Sequence, residues 1–325
     1  MNNFTIARKF NPSCKEPITL EVDGGWPKQY HLFEQESVYA IKAALATNRP
    51  LLVRGEPGTG KSQLSRAAAV VLMRPLLYEV ITSRTEATDL LYRFDMVARL
   101  GEAQVQATIA SKQVSKVREN LDPVKFLAPG RIWWALNWKE AKKQAGNCNI
   151  DSPETPKNWL VKDGCVLLID EIDKADSDLP NALLECFANR SFQVPYLSKP
   201  IVHDKQQAAP LVIITTNEER ELPAAFLRRC LVLHLKLPNK EDALKEYLKA
   251  RAEAHFSDYN DDNERFNSIV DEAIVSLLND REKAKADATG VAKPGLAEFL
   301  DLLDTVFKIA DYEEIPVKEV VKRFA

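Results

Sequence analysis

Short, unbroken apolar runs recur along the chain, separated by segments of helical spacing. Leu51-Leu52-Val53 lies within the first run (Pro50 to Arg54), Leu76-Leu77-Tyr78-Glu79-Val80-Ile81 is the second and Cys165 to Ile169 the third. Leu211-Val212-Ile213-Ile214-Thr215-Thr216-Asn217 is the fourth. Five apolar residues without a break predict a central parallel strand buried on both faces. Leu231, Leu233, Leu235 and Leu237 alternate with Val232, His234 and Lys236, which predicts a strand nearer the sheet edge. Between the runs, apolar positions return at helical intervals: Val38, Ile41, Ala44 and Leu45, with Asn48 near the helix end, then Leu64, Ala67, Ala68, Val71 and Leu72, and then Asn181 to Phe187. Alternating strands and helices predict an α/β core built on a parallel five-stranded sheet between helices.

After Pro238 the pattern is helical only. Asn239 reads as a helix cap with Asp242 three residues on, and Leu244, Tyr247 and Leu248 face inward. Further helices are expected around Phe266–Leu278, Leu296–Phe307 and Pro316–Phe324, where Pro316 suits a first helical position. The chain therefore reads as an irregular N-terminal segment (1–35), an α/β core (36–238) and a small all-helical lid (239–325).

Roughly eighty residues separate the second and third strands, far more than an ordinary connection, so an inserted substructure over about 92–138 is expected. Within it Tyr92, Phe94, Met96, Ala98 and Leu100 alternate with other residues, which predicts a strand, and Val105, Ile109, Val114 and Val117 return to helical spacing. Phe126 to Leu136 contains a Pro-Gly turn and the paired Trp133 and Trp134, residues 139–158 read as an exposed loop, and Ser191 to Tyr196 opens a hairpin.

Composition narrows the function. The 325 residues are 45% hydrophobic and 28% charged with a formal charge of −3, so no overall field draws the protein to nucleic acid or anionic lipid. Five scattered cysteines without C-x-x-C spacing indicate neither a disulfide framework nor a zinc site. Met1-Asn2-Asn3-Phe4 lacks the apolar core of a signal peptide, and the longest apolar run, Ala67 to Met73, is far too short for a membrane span. A soluble, cytoplasmic protein is expected.

The first candidate chemistry is Gly55-Glu56-Pro57-Gly58-Thr59-Gly60-Lys61-Ser62, with Gln63 counted among its cofactor-binding residues, a strand before it and a segment of helical pattern, Leu64 to Met73, after it. The spacing G-x-x-x-x-G-K-[ST] in that setting is a phosphate-binding loop. Glycines let backbone N–H groups approach phosphate oxygens, and the helix N-terminus adds partial positive charge. Lys61 is placed for the β- and γ-phosphates and Ser62 for Mg²⁺. Asp170-Glu171, ending the third run, forms the second candidate: carboxyl ends of strands in open α/β sheets face the ligand. Asp170 would hold Mg²⁺ and Glu171 would activate water. Asn217, ending the fourth run, is placed to orient that water. Arg228-Arg229 follow a short helical piece, Pro223 to Leu227. Two adjacent arginines are ordinarily surface charges, and one aimed at a γ-phosphate would stabilise its transition state. Asp173 and Asp176 read as solvated or capping residues, Trp133 and Trp134 as packing, and Arg281 to Asp287 as a solvated face.

GEPGTGKS, LLIDEID, ITTNEE and LPAAFLRRC, in that order and before a helical lid, resemble AAA+ ATPases. TDLLYRFDMVARL and APGRIWWAL resemble the helix-two insert of the MoxR branch. The resemblance runs from about residue 36 to the end and implies a P-loop NTPase fold. It assigns Lys61 and Ser62 to Walker A, Asp170 and Glu171 to Walker B, and Asn217 to sensor 1. One or both of Arg228 and Arg229 would be an arginine finger completing the neighbour's site. It further implies ATP and Mg²⁺, a homo-oligomeric ring, usually hexameric, and remodelling of partner proteins, often ones with von Willebrand A domains. The sensor 2 arginine of the family is replaced by Gly295 within Ala292-Lys293-Pro294-Gly295, and Lys293 is the candidate substitute. Two alternatives share these motifs: a motor for a nucleic-acid-processing complex of the McrB type, and a nucleotide-gated assembly switch with little turnover.

Overall fold

The computed structural model describes residues 3–22, 25–108, 114–259, 263–286 and 294–312. Lys293 and the helix expected over Pro316–Phe324 lie outside them. Two compact units divide the chain: Met1–Asn11, Val38–Val53 and Ala68–Leu233 form the first, and Pro12–Ser37, Arg54–Ala67 and His234–Ala325 the second.

Five apolar runs become the five strands of one sheet: β1 (Leu51–Arg54), β2 (Leu76–Val80), β3 (Val166–Asp170), β4 (Leu211–Thr216) and β5 (Leu231–His234). Their spatial order is β5-β1-β4-β3-β2. β3 runs parallel to β2 and to β4, with Leu76 and Leu211 both opposite Val166. Every residue of β3 and β4 is buried, as their unbroken apolarity requires. Helix α1 (Gln35–Thr47) buries Val38, Ile41, Ala44 and Leu45 as expected. Helix α2 (Lys61–Leu72) buries Leu64, Ala67 and Ala68, while Val71 and Leu72 remain half-buried.

The insert departs from its expected form. Only Tyr92–Phe94 is strand, paired antiparallel with Leu127–Pro129, and helix α3 (Met96–Thr108) replaces the rest of the predicted strand. The Asp95 carboxylate accepts the Ala98 N–H at 2.8 Å, a helix-initiating bond that outweighs the alternation. Helices α4 (Arg131–Leu136) and α5 (Trp138–Asn147) also correct the loop reading over 139–147, whereas 148–158 hold no helix or strand, as expected. Asn137 caps α5 through the Glu140 N–H at 3.1 Å, and Trp138, Ala141 and Ala145 form a buried stripe under a polar, lysine-rich face. Trp133 and Trp134 are 1% and 3% exposed, which settles them as packing residues. Helix α6 (Asp178–Asn189) follows β3, and the hairpin expected from Ser191 pairs Ser191–Phe192 with Ile201–Val202. The N-terminal segment is more regular than expected. It holds a helix, Asn3–Lys9, and an antiparallel ribbon of Ile18–Leu20 with Gln29–His31.

Short helix α7 (Ala224–Arg229) precedes β5. Beyond β5 come α8 (Glu241–His255), α9 (Asn263–Ala286) and α10 (Leu296–Tyr312). These helices share their own apolar core, with Leu248, Ala252, Ala273, Phe299, Leu303 and Val306 fully buried. Helix α8 starts at Glu241 with Lys240 as its cap residue, so Asn239 stands one position too early to cap it.

Candidate functional site

In the first unit, three strand-end residues converge. Asp170 ends β3 with 8% of its surface exposed, and the Thr215 hydroxyl of β4 donates to its carboxylate at 2.5 Å. The same hydroxyl accepts the Glu171 N–H at 2.9 Å. One threonine thus fixes both acidic residues, an arrangement that follows from the register of β4 against β3.

Glu171 adopts a left-handed conformation (φ 60°, ψ 47°), which costs a non-glycine residue roughly 1–3 kcal/mol and is concentrated at functional positions. The turn lifts its carboxylate off the strand, where it meets Asn217 Nδ2 at 3.4 Å and Lys174 Nζ at 2.6 Å. Hydrogen bonding to Glu171 raises the Lys174 pKa above the ordinary lysine value. Glu171 and Asn217 are therefore brought together as expected. Asp173, read as a solvated or capping residue, is instead buried at 2% exposure and accepts the N–H groups of Asn217 (3.2 Å) and Glu219 (2.9 Å). Its spacing from Asp170 was its only sequence signal. Asp176 stays solvated, with a 3.6 Å ion pair to Arg220.

Arg228 and Arg229 are exposed and lie in the last turn of α7 rather than after it. Arg49 gathers the carbonyls of that helix end: its guanidinium donates to Arg228 O, Arg229 O and Cys230 O at 2.9–3.1 Å. A cation there satisfies the terminal carbonyls and the negative helix end. Nothing in the sequence pattern marks Arg49 for this task.

The phosphate loop belongs to the second unit. Gly55 has φ +156°, and a Cβ there would stand 2.4 Å from Leu235 O. Gly58 has φ +74°, and its Cβ would reach Ala297 Cβ at 3.0 Å. Lys61 is 7% exposed, with Nζ on Gly55 O and Glu56 O at 2.8 and 2.9 Å, and Thr59 Oγ1 donates to Glu56 O at 2.9 Å. Helix α2 starts at Lys61 and carries Ser62 and Gln63 in its first turn. Arg66, further along α2, anchors the N-terminal segment through Gln29 Oε1 (3.0 Å) and Glu21 O (2.9 Å) and lies over Trp26.

A small cavity beside Thr59, Gly60 and Gln63 is also lined by Tyr30, His31, Tyr247 and Arg251. Arg251 pairs with Glu34 at 2.9 Å and lies over the Tyr247 ring. Burial, reinforced by the Arg251 charge, pushes His31 down to about 3 and His255 to about 4, so both are neutral at pH 7.

The residues fit a nucleotide with Mg²⁺. In the second unit the glycine loop leads into a helix N-terminus with a buried lysine and the Ser62 hydroxyl, a setting suited to phosphate, and in the first unit the buried carboxylate of Asp170 is a hard oxygen donor of the kind Mg²⁺ takes. Burial pushes Cys165 and Cys186 up to about 12 and Cys230 to about 11, far from a reactive thiolate. Among the described residues no helix is long and apolar enough to cross a membrane.

A search of the curated proteins finds no match. Among solved structures, a Cytophaga hutchinsonii ATCC 33406 protein provisionally described as an ATPase aligns with 14% identity and TM-score 0.38, over 88% of this chain and 78% of that one. A likeness that weak carries nothing further. The model of the AAA domain, dynein-related subfamily, matches residues 50–230, more than half the chain and the whole span from β1 through α7, and the chain belongs to that AAA family.

Proposed function

We propose that this protein is a MoxR-type AAA+ ATPase that forms a ring of identical subunits, a hexamer by resemblance, and spends ATP hydrolysis on remodelling a partner protein. The carrying observation is the acidic strand end. Glu171, lifted by a left-handed turn, has Asn217 at 3.4 Å and a backbone locked to Thr215 at 2.9 Å. That is a carboxylate held for a water, with an amide beside it to orient the same water.

In the proposed reaction the backbone of Gly55 to Ser62, with Lys61 and Gln63, binds the triphosphate, and Ser62 and Asp170 would hold Mg²⁺. When bound, Mg²⁺ neutralises charge on the β- and γ-phosphate oxygens. Glu171 accepts a proton from water as the water oxygen bonds to the γ-phosphorus and the bond to the β-phosphate oxygen breaks, leaving ADP and phosphate. Lys61, together with Arg228 or Arg229 from a neighbouring subunit, offsets the charge that develops. A partner containing a von Willebrand A domain is the candidate client. Burial of Trp133 and Trp134 leaves these two rings unavailable for stacking on single-stranded nucleic acid, and stimulation of ATPase activity by DNA would favour a nucleic-acid-processing motor instead.

Phosphate release from ATP–Mg²⁺ by the wild type, Glu171→Gln and Lys61→Ala proteins tests the reading. Steady turnover abolished by Glu171→Gln, with nucleotide still retained, supports it. Turnover equal in the wild type and Glu171→Gln would leave a nucleotide-gated switch.

A further inference from the structure

Arg281, on the lid helix α9, was expected on a solvated face. It is instead 14% exposed and points at the phosphate loop, with Nη2 at 3.7 Å from the Glu56 carboxylate and Nη1 donating to Pro294 O. Two further lid contacts reach the same loop. Ala297 N–H donates to Gly58 O at 3.1 Å, and a Cβ at Gly295 would stand 3.3 Å from Pro57 O. Glu56 places a carboxylate, 50% exposed, at the second position of this loop, and a negative charge on the loop repels a polyanion bound to it. A cavity of about 430 Å³ opens beside the pair, lined by Glu56, Arg281, Lys245 and Asn279.

We infer that Arg281 is a positioning residue for nucleotide binding. Its guanidinium neutralises Glu56 and, through Pro294, ties the entry to α10 to the phosphate loop, so that the loop accepts a triphosphate without repulsion from its own carboxylate. The inference rests on the nucleotide-binding reading above and concerns how this lid supports it. Arg281 acts through Glu56 and touches no substrate.

Charge distinguishes this role from packing. Arg281→Ala exposes an uncompensated Glu56 and should weaken ATP–Mg²⁺ binding about tenfold at low salt, with the deficit shrinking as ionic strength rises, because repulsion is screened over roughly 10 Å at 0.1 M salt. The Glu56→Gln/Arg281→Ala double variant should recover most of the lost affinity. The experiment is titration of fluorescent ATP into the full-length wild type, Arg281→Ala and the double variant at 25 and 250 mM salt (roughly bracketing that screening range), with thermal unfolding of each variant as a folding control. A salt-dependent loss rescued in the double variant is the expected result. If the double variant binds as weakly as Arg281→Ala, Arg281 acts on nucleotide directly or through packing, and the inference is wrong. If Arg281→Ala binds like the wild type, the inference is also wrong while nucleotide binding stands. Only a wild type that binds no ATP overturns the underlying reading.

Discussion

The buried carboxylate of Asp173 accepts the backbone N–H of Asn217 at 3.2 Å. The residue proposed to orient the attacking water therefore owes its position to an aspartate one turn beyond the acidic strand end. A second bond, from Glu219 N–H at 2.9 Å, makes Asp173 the organiser of the loop after β4, where Glu218 holds a left-handed φ of 62°.

Asp173→Ala leaves two N–H donors without their acceptor and should cost about 1–3 kcal/mol of stability. Because Asn217 shifts with the loop, kcat should fall while KM for ATP changes little. Urea unfolding and steady-state phosphate release measure the two effects. Asp173→Asn keeps one acceptor oxygen and should recover part of each.

Arg49 fixes the end of α7 from about 180 residues away in the chain. Arg49→Ala should cost about 1 kcal/mol, given how exposed the site is, and should reduce turnover more than that loss of stability explains if Arg228 or Arg229 serves a neighbour. Arg49→Lys should rescue little, since a single ammonium cannot replace a planar fork spread over three carbonyls. ATPase rate at saturating ATP, compared with the melting temperature, separates the two contributions.

The insert depends on one glycine. A Cβ on Gly130 would lie 2.4 Å from Leu90 O, where Gly130 N–H bonds Leu91 O at 2.9 Å. Gly130→Ala should destabilise by about 1–3 kcal/mol or more, because backbone must move. Gly101, inside exposed helix α3, has nothing within 4 Å of its would-be Cβ. Gly101→Ala should stabilise that helix by roughly 0.5–1 kcal/mol. Chemical denaturation of both variants gives the contrast in sign.

Acid should loosen the second unit. His31 and His255 have folded pKa values of about 3 and 4, lowered first by burial and then by the Arg251 charge, against an ordinary value near 6.5. Their contribution is fully present above pH 6.5 and is lost as pH falls from there toward 4 and 3, because the unfolded chain binds protons that the folded chain refuses. The limiting slope is about 1.4 kcal/mol per pH unit for each histidine. Unfolding midpoints measured between pH 7.5 and 4.5, roughly spanning that range, should fall with acid, and less steeply in His31→Gln.

The five strands were legible because burial on both faces demands unbroken apolar runs, and the phosphate loop and Asp170-Glu171 were legible because their chemistry fixes residue type and spacing. The insert was less so. Alternation from Tyr92 to Leu100 resembled a strand until the Asp95 cap turned it into α3, and the lysines of α5 concealed the stripe of Trp138, Ala141 and Ala145. Asp173, Arg49 and Arg281 escaped for another reason. Each acts through contacts set by tertiary geometry, such as Arg281 reaching Glu56, which no local spacing records.

The central claim, a ring ATPase completed by a neighbour's arginine, is tested most directly by the solution mass of Glu171→Gln with and without ATP–Mg²⁺. The same measurement is repeated on a protein also carrying Arg228→Ala and Arg229→Ala. A ring ATPase of this kind shifts to a closed ring on adding ATP, and the shift weakens when both arginines are removed. A mass unmoved by ATP in a protein shown to bind it would contradict the ring, and the arginine assignment would fall first.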